Sequence, residues 1–273
     1  MKQTVSQFPL GVFDSGLGGL TALRALTKCL PHEDIFYLGD TGRVPYGVRS
    51  EKTILQYTEQ DLAFLMKKGV KAILCACGTV SAVSLPILQK DFPLPIYGVL
   101  APAVNAALSA THSGKIGIIG TQATIQSGAY EALLRENRSN LSLTSIPCPL
   151  FVPLVENGRI HPGDVVIETI VAEYLAAFKD AKIDTLILGC THYPLLEKVI
   201  GNFLGKEVTL ISSGAQAAIA MAEDLKEKGL LNPSTVPGKK EYFVTDSAKN
   251  FSTLASLFLE ENVAAEVSQV TLF

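Results

Sequence analysis

Residues 71–80 read KAILCACGTV, and residues 185–194 read TLILGCTHYP. In each stretch a short apolar run predicts a buried strand that ends in a cysteine, Cys77 or Cys190. A threonine stands close behind each cysteine, and a helix-like segment follows. The two cysteines lie 113 positions apart, about the length of one small α/β domain. The repeated pattern predicts two similar domains that face each other across a cleft, each contributing one thiol.

Strand-like and helix-like segments alternate along the rest of the chain. The expected strands are 9–13, 35–38, 71–77, 95–100, 115–120, 143–147, 185–190, 208–212, 241–245 and 266–271. The expected helices are 20–30, 51–68, 80–89, 102–111, 124–137, 163–178, 194–203, 215–228 and 248–260. This alternation predicts an α/β fold with mostly parallel sheets flanked by helices.

Composition narrows the class of protein. The chain has 273 residues, more than a typical single domain, and its 48% hydrophobic and 18% charged residues are ordinary for a globular protein. A net charge of −3 without a Lys/Arg cluster argues against nucleic-acid binding. The apolar runs are too short to cross a bilayer, and residues 1–7 lack the apolar core of a signal peptide. We therefore expect a cytoplasmic protein that does not bind membranes.

No cofactor or metal motif stands out. The five cysteines form no Cys-x-x-Cys pair, and their odd number favours free thiols over a disulfide framework. A dinucleotide fingerprint begins at Gly16 and Gly18 but fails at Thr21, where a third glycine is needed. No strand-end lysine offers a Schiff base for pyridoxal phosphate. The sequence thus predicts neither a metal site nor a cofactor.

Four polar segments fall at the expected carboxyl ends of strands, the edge where open α/β sheets bind ligands. Residues 13–20 form a Gly-rich turn, which could equally be structural, with Asp14 or Ser15 as a helix cap. Residues 40–47 form a kinked polar loop, which could also be structural. The other two segments carry Cys77 and Cys190. A cysteine at a strand end is often only a small core residue, a description that suits Cys29, Cys75 and Cys148.

Position favours Cys77 and Cys190 as reactive thiols, because a helix N-terminus stabilises a thiolate. His192 could tune Cys190 or be a satisfied structural histidine. Two thiols that face one cleft suit the inversion of an amino acid at Cα. One group removes the α-proton as a base, and the other delivers a proton to the opposite face as an acid.

Several motifs together resemble the glutamate racemases of the aspartate/glutamate racemase family, and the resemblance runs nearly end to end. The matching segments are 14–19, 45–47, 77–79 with Ser81 and Ala82, 120–121 with Thr124, 152–156 and 188–194. The last of these is the most specific match. The resemblance implies cofactor-independent racemisation of glutamate, with D-glutamate supplied for peptidoglycan synthesis and hence for cell-wall biogenesis and cell shape.

The resemblance also implies roles for individual residues. It makes Cys77 and Cys190 the catalytic bases, with Cys190 acting on L-glutamate and Cys77 on D-glutamate. The residues implied to assist the thiols are Asp14, Glu156 and His192. The residues implied to bind substrate are Asp14, Ser15, Pro45, Tyr46, Gly47, Gly78, Thr79, Thr121, Thr124, Thr191 and His192. Many family members carry asparagine where this chain has Gly78, so a side-chain amide is missing there.

The family fold implies one domain formed by residues 1–99 plus 210–273 and a second formed by residues 100–209. The expected small-molecule partner is the substrate glutamate, and the question whether the protein forms a homodimer is left open. Three alternatives also stay open: a racemase of a related substrate such as aspartate or a hydantoin, a two-lobed binding protein without catalysis, and a thiol oxidoreductase. Cys75 and Cys77 are a poor resolving pair for the last of these.

Overall fold

The computed structural model describes residues 4–90, 92–260 and 267–272. Its strands, in chain order, are β1 (Leu10–Asp14), β2 (Ile35–Gly39), β3 (Ala72–Cys75), β4 (Ile96–Tyr97), β5 (Lys115–Gly120), β6 (Ser142–Pro147), β7 (Thr185–Leu188), β8 (Thr209–Ser212), β9 (Lys240–Val244) and β10 (Val267–Gln269). They form a six-stranded sheet in the order β10-β9-β2-β1-β3-β4 and a four-stranded sheet in the order β6-β5-β7-β8. Neighbouring strands pair in parallel throughout both sheets.

Helices connect these strands and cover the sheets. They are α1 (Leu20–Cys29), α2 (Glu51–Lys67), α3 (Gly78–Val83), α4 (Leu85–Leu88), α5 (Leu100–Ala110), α6 (Gln122–Gln126), α7 (Ala129–Asn137), α8 (Phe151–Glu156), α9 (Val165–Ala181), α10 (Glu197–Leu204), α11 (Ser213–Glu227) and α12 (Ala248–Leu259). Short 3₁₀ turns occupy Val5–Gln7, Tyr46–Val48 and Tyr193–Leu196. The predicted fold class, parallel sheets flanked by helices, is confirmed.

Several boundaries differ from the sequence-based expectation, each for a local reason. The strand expected at 71–77 ends at Cys75, so Cys77 is the N-cap of α3 rather than a strand residue. The helix expected at 124–137 is divided into α6 and α7 by Gly128, whose φ of 63° lies outside the helical region. The helix expected at 80–89 divides at Ser84, and Pro86 lies in the first turn of its second part, which begins at Leu85.

Two further differences concern short elements. The strand expected at 95–100 is only Ile96–Tyr97, because α5 already begins at Leu100. Helix α8, which follows β6, was not expected, since six residues that include Pro153 give little helical periodicity.

The two sheets share one apolar core. A single cluster of buried side chains contains Val12 and Leu74 of the first sheet together with Ile118 and Leu186 of the second. Helix α11 packs against both α1 and α5. The expected domain boundary at 209/210 falls inside β8, which pairs with β7 of the second sheet, and the division into two domains stays a prediction. In the part of the chain that the structure describes, no helix combines the length and apolarity needed to cross a membrane.

Candidate active site

A cavity of about 330 Å³ opens at the carboxyl ends of the strands of both sheets. That volume suits a small molecule. The turn after β3 contributes Cys77, and the turn after β7 contributes Cys190, each two residues beyond its strand. The expected site residues that line the cavity are Ser15, Pro45, Tyr46, Gly47, Cys77, Gly78, Thr79, Thr121, Glu156, Cys190, Thr191 and His192. Asp14 and Thr124, the remaining two, contact lining residues from behind.

Cys77 lies in an environment that favours its neutral thiol. The side chain is 5% exposed, and its sulfur lies 3.5 Å from the hydroxyl oxygen of Ser15. Burial, and after it the charge of Asp14, raises the pKa of the Cys77 thiol to about 12. At neutral pH Cys77 therefore carries its proton and is placed to act as an acid.

Cys190 has a different neighbour, the imidazole of His192. Nδ1 of His192 lies 3.9 Å from the Cys190 sulfur, and Nε2 lies 3.0 Å from Oε1 of Glu156. Burial alone would lower the pKa of His192, but its contacts with Cys190 and Glu156 raise that pKa to about 10. At neutral pH His192 is therefore a cation, placed to accompany the negative charge of a Cys190 thiolate.

Asp14, the last residue of β1, lies between the two thiol segments. Its Oδ2 accepts a hydrogen bond from the backbone N–H of Gly16 at 3.0 Å, and its Oδ1 accepts one from the Thr191 hydroxyl at 3.4 Å. Burial raises the pKa of Asp14, although His192 and nearby backbone N–H groups oppose this rise. A carboxylate at this position can attract a ligand ammonium group to the cavity.

Three threonine hydroxyls form a polar cluster where the turn after β3 of the first sheet meets the turn after β5 of the second sheet. The Thr121 hydroxyl lies 2.9 Å from the hydroxyl of Thr79 and 2.9 Å from that of Thr124, and Thr79 and Thr124 are 3.5 Å apart. Hydroxyl groups both donate and accept, so the cluster can reorient to donate to a ligand carboxylate.

The loop that carries Pro45, Tyr46 and Gly47 lies beside the threonine cluster. Gly47 packs so closely on Thr121 that an added Cβ would lie 2.6 Å from the Cβ of Thr121. The Tyr46 hydroxyl is hydrogen-bonded to Asp40 and lies 3.1 Å from an oxygen of Asp61, and all three residues are buried. A ligand carboxylate at this loop would therefore meet its backbone rather than the phenol of Tyr46.

The close packing around Gly78 explains why this chain has no side-chain amide at position 78. A Cβ at position 78 would lie 2.2 Å from the carbonyl oxygen of Gly189, which is far inside van der Waals contact. Likewise, a Cβ at Gly18 would lie 2.1 Å from the Thr191 hydroxyl oxygen. Glycine at both positions lets the first-sheet turns touch the turn that carries Cys190.

Sequence reasoning missed Asp61 and the third thiol of the cavity. Asp61 lies on the buried stripe of α2 with Ile54, Thr58 and Leu62, where a carboxylate is out of place, and that mismatch was the available signal. Cys148 was expected to be an inert core residue. It is buried, and it also lines the cavity.

Comparisons with known proteins show which proteins the whole chain resembles. The family model described as Asp/Glu/Hydantoin racemase matches residues 21–222. A glutamate racemase from Chlorobaculum tepidum is 45% identical over 256 residues, which cover 93% of each chain. The crystal structure of a glutamate racemase isoform from Bacillus anthracis matches with a TM-score of 0.93 and 39% identity over 98% of each chain. A crystal structure of glutamate racemase from Francisella tularensis in complex with D-glutamate matches with a TM-score of 0.90 and 36% identity over 98% of each chain.

Proposed function

The chain belongs to the Asp/Glu/Hydantoin racemase family, and we propose that it interconverts L-glutamate and D-glutamate by moving a proton between Cα and the thiols of Cys77 and Cys190. The observation that carries this proposal is that both thiols line one cavity of about 330 Å³ in unlike electrostatic environments. Cys77 is a neutral acid at neutral pH, and Cys190 has a cationic histidine beside it. Racemisation needs one base and one acid at the same carbon.

The charges suit a step in which Cys190 is the base and Cys77 the acid, and the family resemblance assigns that step to the L-enantiomer. The Cys190 thiolate removes the α-proton of L-glutamate, and the electron pair of the broken C–H bond is delocalised into the α-carboxylate. The Cys77 thiol then gives its proton to the opposite face of Cα, forming D-glutamate and a Cys77 thiolate. The reverse reaction uses the same two groups with exchanged roles.

The neighbouring residues supply positioning. Asp14 attracts the ammonium group, which also brings a positive charge close to Cys77 and stabilises its thiolate. The cluster of Thr79, Thr121 and Thr124 and the backbone of residues 45–47 hold the carboxylates. Bound in this way, the substrate presents Cα to both sulfurs without a cofactor.

Specific observations weigh against the alternatives. The relatives that match over more than nine-tenths of the chain are named glutamate racemases, which favours glutamate over aspartate or a hydantoin. Cys75 is fully buried and donates to the carbonyl oxygen of Cys77, so it is poorly placed to resolve a disulfide for a thiol oxidoreductase. A binding protein without catalysis would leave Cys77 and Cys190 without a role.

The proposal includes a cellular role. Two reactive thiols must stay reduced, which supports a cytoplasmic enzyme. D-Glutamate made there would supply peptidoglycan synthesis and so maintain cell shape. The homodimer stays a prediction, for which sedimentation velocity is the measurement.

The experiment is incubation of the purified protein with L-glutamate, and separately with D-glutamate and L-aspartate, followed by chiral chromatography. We expect glutamate to reach an equal mixture of enantiomers from either side, after dialysis against a chelator and without added pyridoxal phosphate. Cys77→Ala and Cys190→Ala should each lower the rate by at least about 10³-fold, because each removes one proton-transfer group. The exposed Cys29→Ala is the matched control and should keep the rate. Dependence on pyridoxal phosphate, or faster turnover of aspartate, would contradict the proposal.

A further inference from the structure

Two buried carboxyl groups meet behind the loop that carries Pro45, Tyr46 and Gly47. Asp40 follows β2 and Asp61 lies on α2, and both are fully buried. The Tyr46 hydroxyl contacts an oxygen of each, a short contact with Asp40 Oδ2 and one of 3.1 Å with Asp61 Oδ2. Arg43 donates through Nε to Asp40 at 2.6 Å and through Nη2 to Asp61 at 3.3 Å.

The phenol has a single proton, and this limits the bonds that the cluster can form. If the Tyr46 hydroxyl donates to Asp40, the contact with Asp61 is a hydrogen bond only when Asp61 carries a proton and donates it to the phenol oxygen. Asp40 is better stabilised as a carboxylate than Asp61, because Thr245 donates a hydrogen bond to its Oδ1 at 2.7 Å and Arg43 donates one to its Oδ2. The arrangement therefore assigns the extra proton to Asp61.

Charge leads to the same assignment. The ionisable groups that contact Asp61 are Tyr46 and Arg43, with Asp40 and Asp14 near enough to act through their charges. Arg43 also bonds to Gln60 and stacks on the ring of Tyr57, 4.1 Å from its centroid. One guanidinium cannot neutralise two buried carboxylates, so one carboxyl stays neutral. Burial, and after it the charge of Asp40, raises the pKa of Asp61 well above its ordinary value.

We propose that Asp61 is a positioning residue for the proposed racemisation, on which this inference rests, and that as a neutral acid it holds Tyr46 and thereby the substrate-carboxylate loop in place. Pro45, Tyr46 and Gly47 line the cavity together with Cys77. Asp40 and Asp61 hold the Tyr46 hydroxyl from behind, and Gly47 of the same loop packs against Thr121. Without Asp61 the phenol loses one of its two partners, and the loop loses part of its support.

Steady-state kinetics test the positioning role with three variants. Asp61→Ala should raise the KM for glutamate about ten-fold, the equivalent of one lost hydrogen bond, while kcat changes less. Asp61→Asn should restore KM to within about three-fold of the wild-type value, because its amide N–H replaces the acid O–H and its carbonyl still accepts from Arg43. Glu59→Gln removes a carboxylate from the exposed face of the same helix and is the matched control. An Asn variant as impaired as the Ala variant, or an Ala variant with unchanged KM, would overturn the proposal.

Thermal unfolding across pH tests the neutral acid independently of turnover. An aspartic acid in the unfolded chain loses its proton near pH 4, whereas Asp61 keeps its proton in the folded protein. A raised folded pKa means that Asp61 stabilises the fold fully only below about pH 4 and less as pH rises toward its folded pKa. The Asn variant has no such loss, so the Tm of the variant relative to the wild type should rise between pH 5 and pH 8, by roughly 3–6 °C for each pH unit over which folded Asp61 stays protonated.

A Tm difference that stays constant across this range would overturn the neutral Asp61. This measurement also distinguishes a failure of the proposed racemisation from a failure of the proposal that Asp61 is a neutral acid. A protein that fails to racemise glutamate but gives the pH-dependent difference contradicts the proposed function and retains the neutral acid. If Asp61→Ala does not fold, the pH dependence of the Tm difference between Asp61→Asn and the wild type still tests whether Asp61 is neutral.

Discussion

Nδ1 of His192 lies 3.9 Å from the sulfur of Cys190, and this contact makes the Cys190 thiol electrostatically unlike that of Cys77. On the other side of the cavity, Cys77 has the neutral hydroxyl of Ser15 at 3.5 Å and the negative Asp14 close by. Before any ligand binds, Cys77 therefore carries its proton, whereas Cys190 has a cationic imidazole beside it.

Alkylation should distinguish the thiols. With limiting iodoacetamide at pH 7.5 and no substrate, we expect the Cys190 peptide to be labelled well before the Cys77 peptide, because a thiol of pKa about 12 has almost no thiolate at that pH. Peptide mapping by mass spectrometry measures the order. Saturating D-glutamate should protect both peptides, whereas labelling of the exposed Cys29 should not change. Faster labelling of Cys77 would contradict the assigned asymmetry.

Glu156 should control the pH range in which His192 is charged. The contact with Glu156 is one of the causes that raise the pKa of His192 to about 10, so Glu156→Gln should lower that pKa. Since the cation is then lost at a lower pH, the alkaline decline of kcat/KM should begin at a lower pH in the variant. Rates from pH 6 to pH 10.5 and the NMR titration of the imidazole measure the shift.

The matched control for Glu156 is Glu168→Gln, which removes the charge of an exposed carboxylate on α9. Its pH profile should follow that of the wild type. An alkaline decline that moves to higher pH in Glu156→Gln would show that the carboxylate does not support the cation.

Gly78 should be required for close approach of the two thiol-bearing turns. A Cβ there would lie 2.2 Å from the carbonyl oxygen of Gly189, so Gly78→Ala and Gly78→Asn must separate the turns. We expect kcat/KM to fall at least about ten-fold, with a loss of stability of about 1–3 kcal/mol from overpacking. Because the equilibrium constant of a racemisation is one, the fall must be equal in both directions.

Gly201→Ala on α10 is the control for Gly78, because the nearest atom to its added Cβ is 3.9 Å away. It should keep both activity and stability. An active Gly78→Asn variant would mean that the turns separate without cost and that a side-chain amide is accommodated at this position.

The sequence predicted the parts of the site that depend on strand ends. Cys77 and Cys190 follow buried apolar runs in parallel strands, and that pattern alone places both thiols at the ligand-binding edge of a sheet. Contacts between segments that are far apart in the chain could not be predicted from the sequence. The bond from Tyr46 to Asp61 and the close approach of Gly78 to Gly189 depend on how helices and turns pack, and neither residue pair carries a local signal of its partner.

Hydrogen exchange at Cα should distinguish two bases from one. If Cys77 and Cys190 act on opposite faces of glutamate, each enantiomer loses its proton to one thiol and gains a new one from the other. Thiol protons exchange rapidly with water, so in deuterated water the first D-glutamate formed from L-glutamate should carry deuterium at Cα, while unreacted L-glutamate keeps its hydrogen. A single base that serves both faces could return the original hydrogen, and part of the product would then be unlabelled. Mass spectrometry of the separated enantiomers in the first few per cent of reaction makes the measurement. Mostly unlabelled D-glutamate would rule out the two-thiol mechanism and leave one cavity cysteine without a role.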